Sequence, residues 1–198
     1  MTNRIDDTSQ RKSAIIVGAL ILIAYSVLFG GSLESKIIVM LLEVISGVAV
    51  ISIAFIMFPI LKPYNRRLTL GYVVCKIIES VFLIIAGILV LSLSTSLLDV
   101  RDWIYVSHAY IFILGALIFY YLLYQSKLIR RFISVWGVIA CILLLVGNLL
   151  EIMGVSPALL IFLFLPIMLN EVFLAIWLIV KGFNSDAIAS GAVKTDIN

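Results

Sequence analysis

The apolar positions of this chain neither alternate nor trace a narrow helical stripe. They run on in six stretches separated by short polar turns: Ser13–Phe29, Ile37–Leu61, Leu70–Leu93, Trp103–Tyr124, Phe132–Met153 and Ala158–Val180. A helix of about 20 apolar residues crosses the ~30 Å hydrocarbon layer of a bilayer. Without period-two alternation the stretches read as helices rather than barrel strands, and a helix satisfies its own backbone hydrogen bonds in lipid. The predicted fold is an all-α membrane protein, a six-transmembrane-helix bundle over residues 13–183. Residues 1–12 and 184–198 carry no apolar period, so they are expected to be tails, the second one flexible.

Prolines punctuate this pattern. Pro59 and Pro63 close the second stretch, and Pro157 opens the sixth, where its missing N–H is harmless. Pro166 lies well inside the sixth, where it is expected to kink the helix and free a carbonyl near Phe162. Asn170 and Glu171 follow at once, so a binding element and a simple packing kink are both open.

Composition agrees with the pattern. With 64% hydrophobic and 13% charged residues, a soluble domain of this length has too much apolar surface to bury. A net charge of +3 raises the question of nucleic acid, but the distribution of the charge excludes it. Arg4, Arg11, Lys12, Lys62, Arg66, Arg67, Lys127, Arg130, Arg131, Lys181 and Lys194 fall on one side of the predicted bundle, and only Lys36 and Arg101 on the other. That asymmetry predicts both termini in the cytoplasm. Tyr64, Tyr72, Tyr120, Tyr121, Tyr124, Trp136 and Trp177 are expected at the inner membrane boundary and Trp103 at the outer. The first stretch is long for a signal peptide and no A-x-A-like site follows Phe29, so it is expected to remain as a span. Cys75 and Cys141 lie inside spans and are expected to pack as small apolar residues.

The polar residues inside the apolar runs are the candidate chemistry. An ionisable group in hydrocarbon costs at least ~3 kcal/mol, so each needs a partner, water or a function. Helical rise places Glu79 about 13 Å and Glu171 about 15 Å from the inner boundary, both near mid-membrane. Lys76 precedes Glu79 by three residues and faces the same way. Lys76, Glu79, Asn170 and Glu171 are therefore the predicted central polar site, with net charge −1 if every group is ionised. Glu43, His108 and Asn148 fall about 7–9 Å inside the outer boundary, with Glu151 at its rim, and form a predicted outer polar layer. Small residues share their faces: Glu43, Ser46, Gly47, Val50 and Ala54 in the second span, Tyr72, Lys76, Glu79, Leu83 and Ala86 in the third, and Gly137, Cys141, Leu144, Asn148 and Glu151 in the fifth. Such stripes mark helix–helix contact in membranes. Plainer roles stand beside these: a neutralised structural pair for Lys76 and Glu79, a cap for the Pro166 gap by Asn170 and Glu171, an interfacial His108, and a wetted helix end for Glu151.

No H-E-x-x-H, G-x-S-x-G, Walker loop or G-x-G-x-x-G occurs, and one His cannot build a two-histidine zinc site. No metal and no cofactor is expected. Leu70-Gly71-Tyr72, Lys76-x-x-Glu79, Ser134-Val135-Trp136-Gly137, Asn170-Glu171 and the closing Trp177-Leu178-Ile179-Val180-Lys181-Gly182-Phe183 resemble a bacterial integral membrane family catalogued as domain of unknown function 4386. The resemblance covers Arg11 to Phe183 and implies a bacterial cytoplasmic membrane, but no activity and no catalytic residue.

The leading functional expectation is a small-molecule or ion-handling transporter or binding subunit. Its partners would be membrane lipids and an unidentified ligand, and a homo-oligomer is left open. Two alternatives stand: a non-catalytic assembly or sensor protein with a dry interior, and an intramembrane enzyme acting on a lipid or isoprenoid through a Glu43–His108 acid–base pair.

Overall fold

The computed structural model describes the backbone of residues 2–32 and 35–189, and within these the side chains of 9–28, 35–156 and 160–189. The predicted tail beyond 189 lies outside the described residues. Helix α1 spans Thr2–Ala24 and runs into a 3₁₀ segment, Tyr25–Ser32. Then follow α2 Lys36–Leu61, α3 Arg66–Leu89, α4 Thr95–Ser126, α5 Arg131–Ile152 and α6 Pro157–Val180. No strand occurs among the described residues. Among the described residues, six helices are long and apolar enough to cross a membrane.

Local chemistry accounts for most boundaries. Asn65 starts α3, its side chain accepting a 3.1 Å hydrogen bond from the Leu68 amide. Pro157 opens α6. The left-handed Lys127 (φ 57°) ends α4, Gly154 (φ 84°) follows α5, and Gly182 (φ 76°) follows α6. Pro166 does not end α6, which continues through it.

The expected boundaries need correction at three places. Helix α1 is helical from Thr2, well ahead of Ser13. The fourth helix begins at Thr95 rather than Trp103 and has 32 residues, about 48 Å of rise. Its two extra turns are polar enough to escape a hydropathy reading, yet Arg101 anchors them to α2. The C-terminal tail begins as a docked segment, since the Asn184 amide donates to the Leu128 carbonyl at 2.8 Å and Tyr64 Oη donates to the Ala187 carbonyl at 2.6 Å.

Each helix packs on its sequence neighbours and α1 packs on α6, so the six helices close into a ring. Glycines permit most of the close approaches. A Cβ on Gly18 of α1 would lie 2.6 Å from the Ala175 carbonyl oxygen of α6, and Gly47 of α2, Gly137 of α5 and Gly147 of α5 face Ile84, Tyr120 and Phe164 in the same way. At the α1–α2 contact a hydroxyl takes this role: Ser46 Oγ donates to the Ala24 carbonyl at 2.8 Å. Without a hydrophobic drive between helices in lipid, such close packing and interhelical hydrogen bonds hold a bundle together. The outer faces carry Phe55, Val74, Ile88 and Phe162, all well exposed, as lipid contact requires.

Two aromatic side chains expected at the membrane boundary belong to the interior. Tyr72 and Tyr120 are fully buried. Tyr72 stacks on Phe119 with 5.1 Å between ring centroids, and Tyr120 fills the notch over Gly137.

The end of the bundle that carries the start of α1 and the end of α6, its terminal end, is fastened by Arg11. Its guanidinium donates to the carbonyls of Leu178, Ile179 and Val180 at 3.3, 2.7 and 3.0 Å, satisfying the last turn of α6 and complementing its dipole. Replacing Arg11 by Ala is expected to cost about 1.5–3 kcal/mol, the range for hydrogen bonds to a charged group. Gly137→Leu should be worse, because Tyr120 has nowhere to go. A thiol-reactive thermal unfolding assay on detergent-solubilised protein checks both, and unchanged midpoints would contradict the packing described.

Candidate functional site

The ring leaves space at its centre. A cavity of about 490 Å³ is lined by side chains from all six helices and the 3₁₀ segment. Its lining nearest the terminal end is the buried set Tyr72, Phe119 and Leu174, and at the far end it includes the exposed Leu28 and Glu151.

On α3, Tyr72, Lys76, Glu79 and Leu83 stand at successive steps of four, three and four and so share one face, which lines the cavity. Lys76 Nζ donates to Glu79 Oε2 at 2.8 Å, with both side chains buried. The ammonium also lies 4.9 Å from the centre of the Phe112 ring on α4. Gly115, one turn beyond Phe112, lets α4 approach α3 closely beside the pair: a Cβ there would lie 3.2 Å from Cys75 Cβ. Glu171 enters from α6, lines the same cavity and interacts electrostatically with Lys76 and Glu79. Tyr25 places its hydroxyl beside the Glu171 carboxylate. Three of the four predicted central residues therefore face one space.

Asn170 does not. One residue from Glu171 it points about 100° away around the helix. There it is fully buried and donates from Nδ2 to the Ile133 carbonyl of α5 at 3.0 Å. It is a clamp between α5 and α6, and neither a cavity ligand nor a cap for the Phe162 carbonyl.

The predicted outer layer separates as well. His108, Asn148 and Glu151 line the cavity toward its far end. Asn148 Nδ2 donates back to the Leu144 carbonyl of its own helix at 2.8 Å. Glu43 is absent from the lining: its carboxylate meets Arg101 Nη2 at 2.5 Å. No described hydrogen bond joins Glu43 to His108, so the acid–base pair expected of a lipid-modifying enzyme is not assembled. The unshared Glu43 Oε2 and Arg101 Nε are both buried without a protein partner.

Arg101, Tyr25 and Tyr120 are the residues that the sequence reading missed, whereas Tyr72 stood both on the Lys76–Glu79 stripe and among the boundary aromatics. Arg101 had a signal. With Tyr105, His108 and Phe112 it falls at steps of four, three and four on α4. In the structure its guanidinium carbon lies 5.5 Å from the Tyr105 ring, and the Tyr105 and His108 rings are 5.7 Å apart. One aromatic face of α4 thus runs from the outer ion pair at Glu43–Arg101 to the inner one at Lys76–Glu79. Tyr25 and Tyr120 had none, since a tyrosine near a span end reads as a membrane anchor whichever way it faces.

The lining carries three carboxylates, Glu79, Glu151 and Glu171, against one ammonium, Lys76. Such a site attracts a cation or a proton. Arranged this way, the molecule is a six-helix integral membrane bundle around a central cavity with ionisable lining. The chain belongs to the family described as domain of unknown function (DUF4386), whose profile matches residues 29–182. No curated protein and no solved structure matches it. The matched stretch contains Lys76, Glu79 and Glu171, while Arg11 and Tyr25 precede it.

The buried pair should show strong coupling. Lys76→Met or Glu79→Gln alone strands a charge or a donor, a loss of about 3–5 kcal/mol, whereas the double variant restores charge balance and recovers a large part of it. Thermal unfolding of the four proteins in one detergent measures the cycle. Strict additivity would mean that the two groups do not depend on each other.

Proposed function

We propose that this protein is a membrane-embedded binding or transport protein for a small molecule that joins an apolar body to a positive charge. The supporting observation is the cavity: about 490 Å³, within the usual range for ligand sites, largely apolar, with Glu171 left over after Lys76 has paired with Glu79. Phe112, Phe119 and Phe164 add aromatic rings to the lining of the same space, and Phe112 already meets the Lys76 ammonium. Dispersion and apolar burial would hold the body of the ligand, and the carboxylate would select its charge.

A transport cycle fits the asymmetry of the lining. The terminal side of the cavity is sealed by the Tyr72–Phe119 stack, and its other side reaches exposed residues at the far end. Reading the basic end as cytoplasmic puts this conformation facing outward across a bacterial inner membrane, with both termini inside. A proton on Glu171 would replace the cation during the return, so that the two compete for one carboxylate.

The reading is tested by isothermal titration of purified protein with three probes of one shape: 4-phenylbutylamine, 4-phenylbutanol and 4-phenylbutyrate. The amine should bind best and the carboxylate worst. Glu171→Gln should weaken the amine about tenfold, close to 1.4 kcal/mol, and leave the alcohol unchanged. Met168→Trp, which fills the cavity, should weaken all three. Equal binding of the amine to wild type and Glu171→Gln would sink the cation reading, and no effect of Met168→Trp would sink the cavity as the site.

A further inference from the structure

A second hollow, of about 480 Å³, lies at the terminal end of the bundle, away from the central cavity. One wall is the α4–α5 turn with Lys127, Arg130 and Arg131; the other is the end of α6 with Trp177, Lys181 and Asn184. The walls are stitched together, since Asn184 donates its amide to the Leu128 carbonyl at 2.8 Å and its side-chain Nδ2 to the Lys127 carbonyl at 3.5 Å. The hollow is therefore built by tertiary contacts and is not a chance gap between two loops.

Its chemistry is one-sided. Four cations line it and no carboxylate does. None of the four takes part in an ion pair among the described residues. Arg130 lies over the Trp177 ring at 5.4 Å and Arg131 over the Tyr124 ring at 4.9 Å, which holds both guanidinium groups on aromatic surfaces at the ends of the spans. No side chain caps the start of α5, whose 22 residues point the positive end of their dipole at the same place. Four like charges this close together repel unless an anion joins them. At a helix end flanked by Trp177, Phe132 and Phe183, the anion at hand is a lipid phosphate.

We infer that this hollow is a headgroup site for an anionic phospholipid, whose phosphate is held by Arg130, Arg131 and Lys181 at the start of α5 while Trp177 and Phe183 meet its ester region. A guanidinium matches a phosphate bidentately, which distinguishes a site from diffuse surface attraction. Basic pockets between helix ends are recognised in this way in membranes. The site does not depend on what occupies the central cavity.

The experiment uses the full chain in phosphatidylcholine vesicles doped with phosphatidylglycerol, extracted gently and weighed by native mass spectrometry. Wild type should retain phosphatidylglycerol in preference to phosphatidylcholine. Arg130→Gln/Lys181→Gln should reduce that retention about tenfold or more, as loss of two charges near a membrane implies. Arg66→Gln/Arg67→Gln removes the same charge from the neighbouring basic turn and should behave as wild type. If the first pair does not stay monodisperse, Lys127→Gln/Arg131→Gln gives the same readout. Equal loss from both basic turns, or no loss from the hollow, overturns the site. Displacement of the lipid by inorganic phosphate beyond that by sodium chloride of equal ionic strength overturns the lipid as its occupant.

Discussion

In hydrocarbon a charge has to be enclosed, and the ring of helices is the enclosure. An ion facing acyl chains costs several kcal/mol, so a chain with Glu43, Lys76, Glu79 and Glu171 inside its spans has to bring those groups to its own interior. Glycines such as Gly18, Gly47 and Gly137 let neighbouring helices approach closely around the circumference. Contact is made pairwise around the ring, and the centre is left to side chains. Lys76 answers Glu79 directly, and its ammonium also acts electrostatically on Glu171. The cavity and its excess of negative charge follow from that arrangement.

The two ends of the bundle are built differently. At the terminal end Arg11 closes the last turn of α6, Asn184 ties the chain to the α4–α5 turn, and the docked residues after α6 meet Tyr64. Tyr72 and Phe119 lie above this as a stacked floor. At the far end the principal long-range polar tie is Glu43–Arg101, between helices α2 and α4 that otherwise barely touch. A single ion pair with unshared atoms on both partners is easier to open than a set of capped helix ends. A molecule that admits a ligand would open on that side.

The aromatic face of α4 connects these parts. Arg101, Tyr105, His108 and Phe112 follow one another from the outer pair to the inner pair, with ring contacts or cation–ring contacts at several steps. In the transport cycle proposed above, a ligand entering from the far end would pass along this face before it reached Glu171. Cations bind ring faces weakly, by about 0.5–2 kcal/mol, so such a path guides without trapping.

What the sequence determined by itself was everything that depends on transfer to lipid. Length and apolarity set six helices, and the stripes at steps of three and four set the inward faces of α2 and α3, including Lys76 with Glu79. Depth put Glu171 at the level of that pair, and the packing of α6 turned it toward them. Tertiary structure decided what depends on rotation and reach. Asn170 and Glu171 are adjacent in sequence, yet one turns to the Ile133 carbonyl and the other to the cavity. Glu43 went to Arg101 rather than His108 because two polar turns extend α4 beyond its apolar core. Tyr72 and Tyr120 went inside because glycine and aromatic neighbours on the next helices had room for them. Hydropathy measures how deep a residue lies, which is a property of one helix; the direction in which it points is a property of six helices packed together.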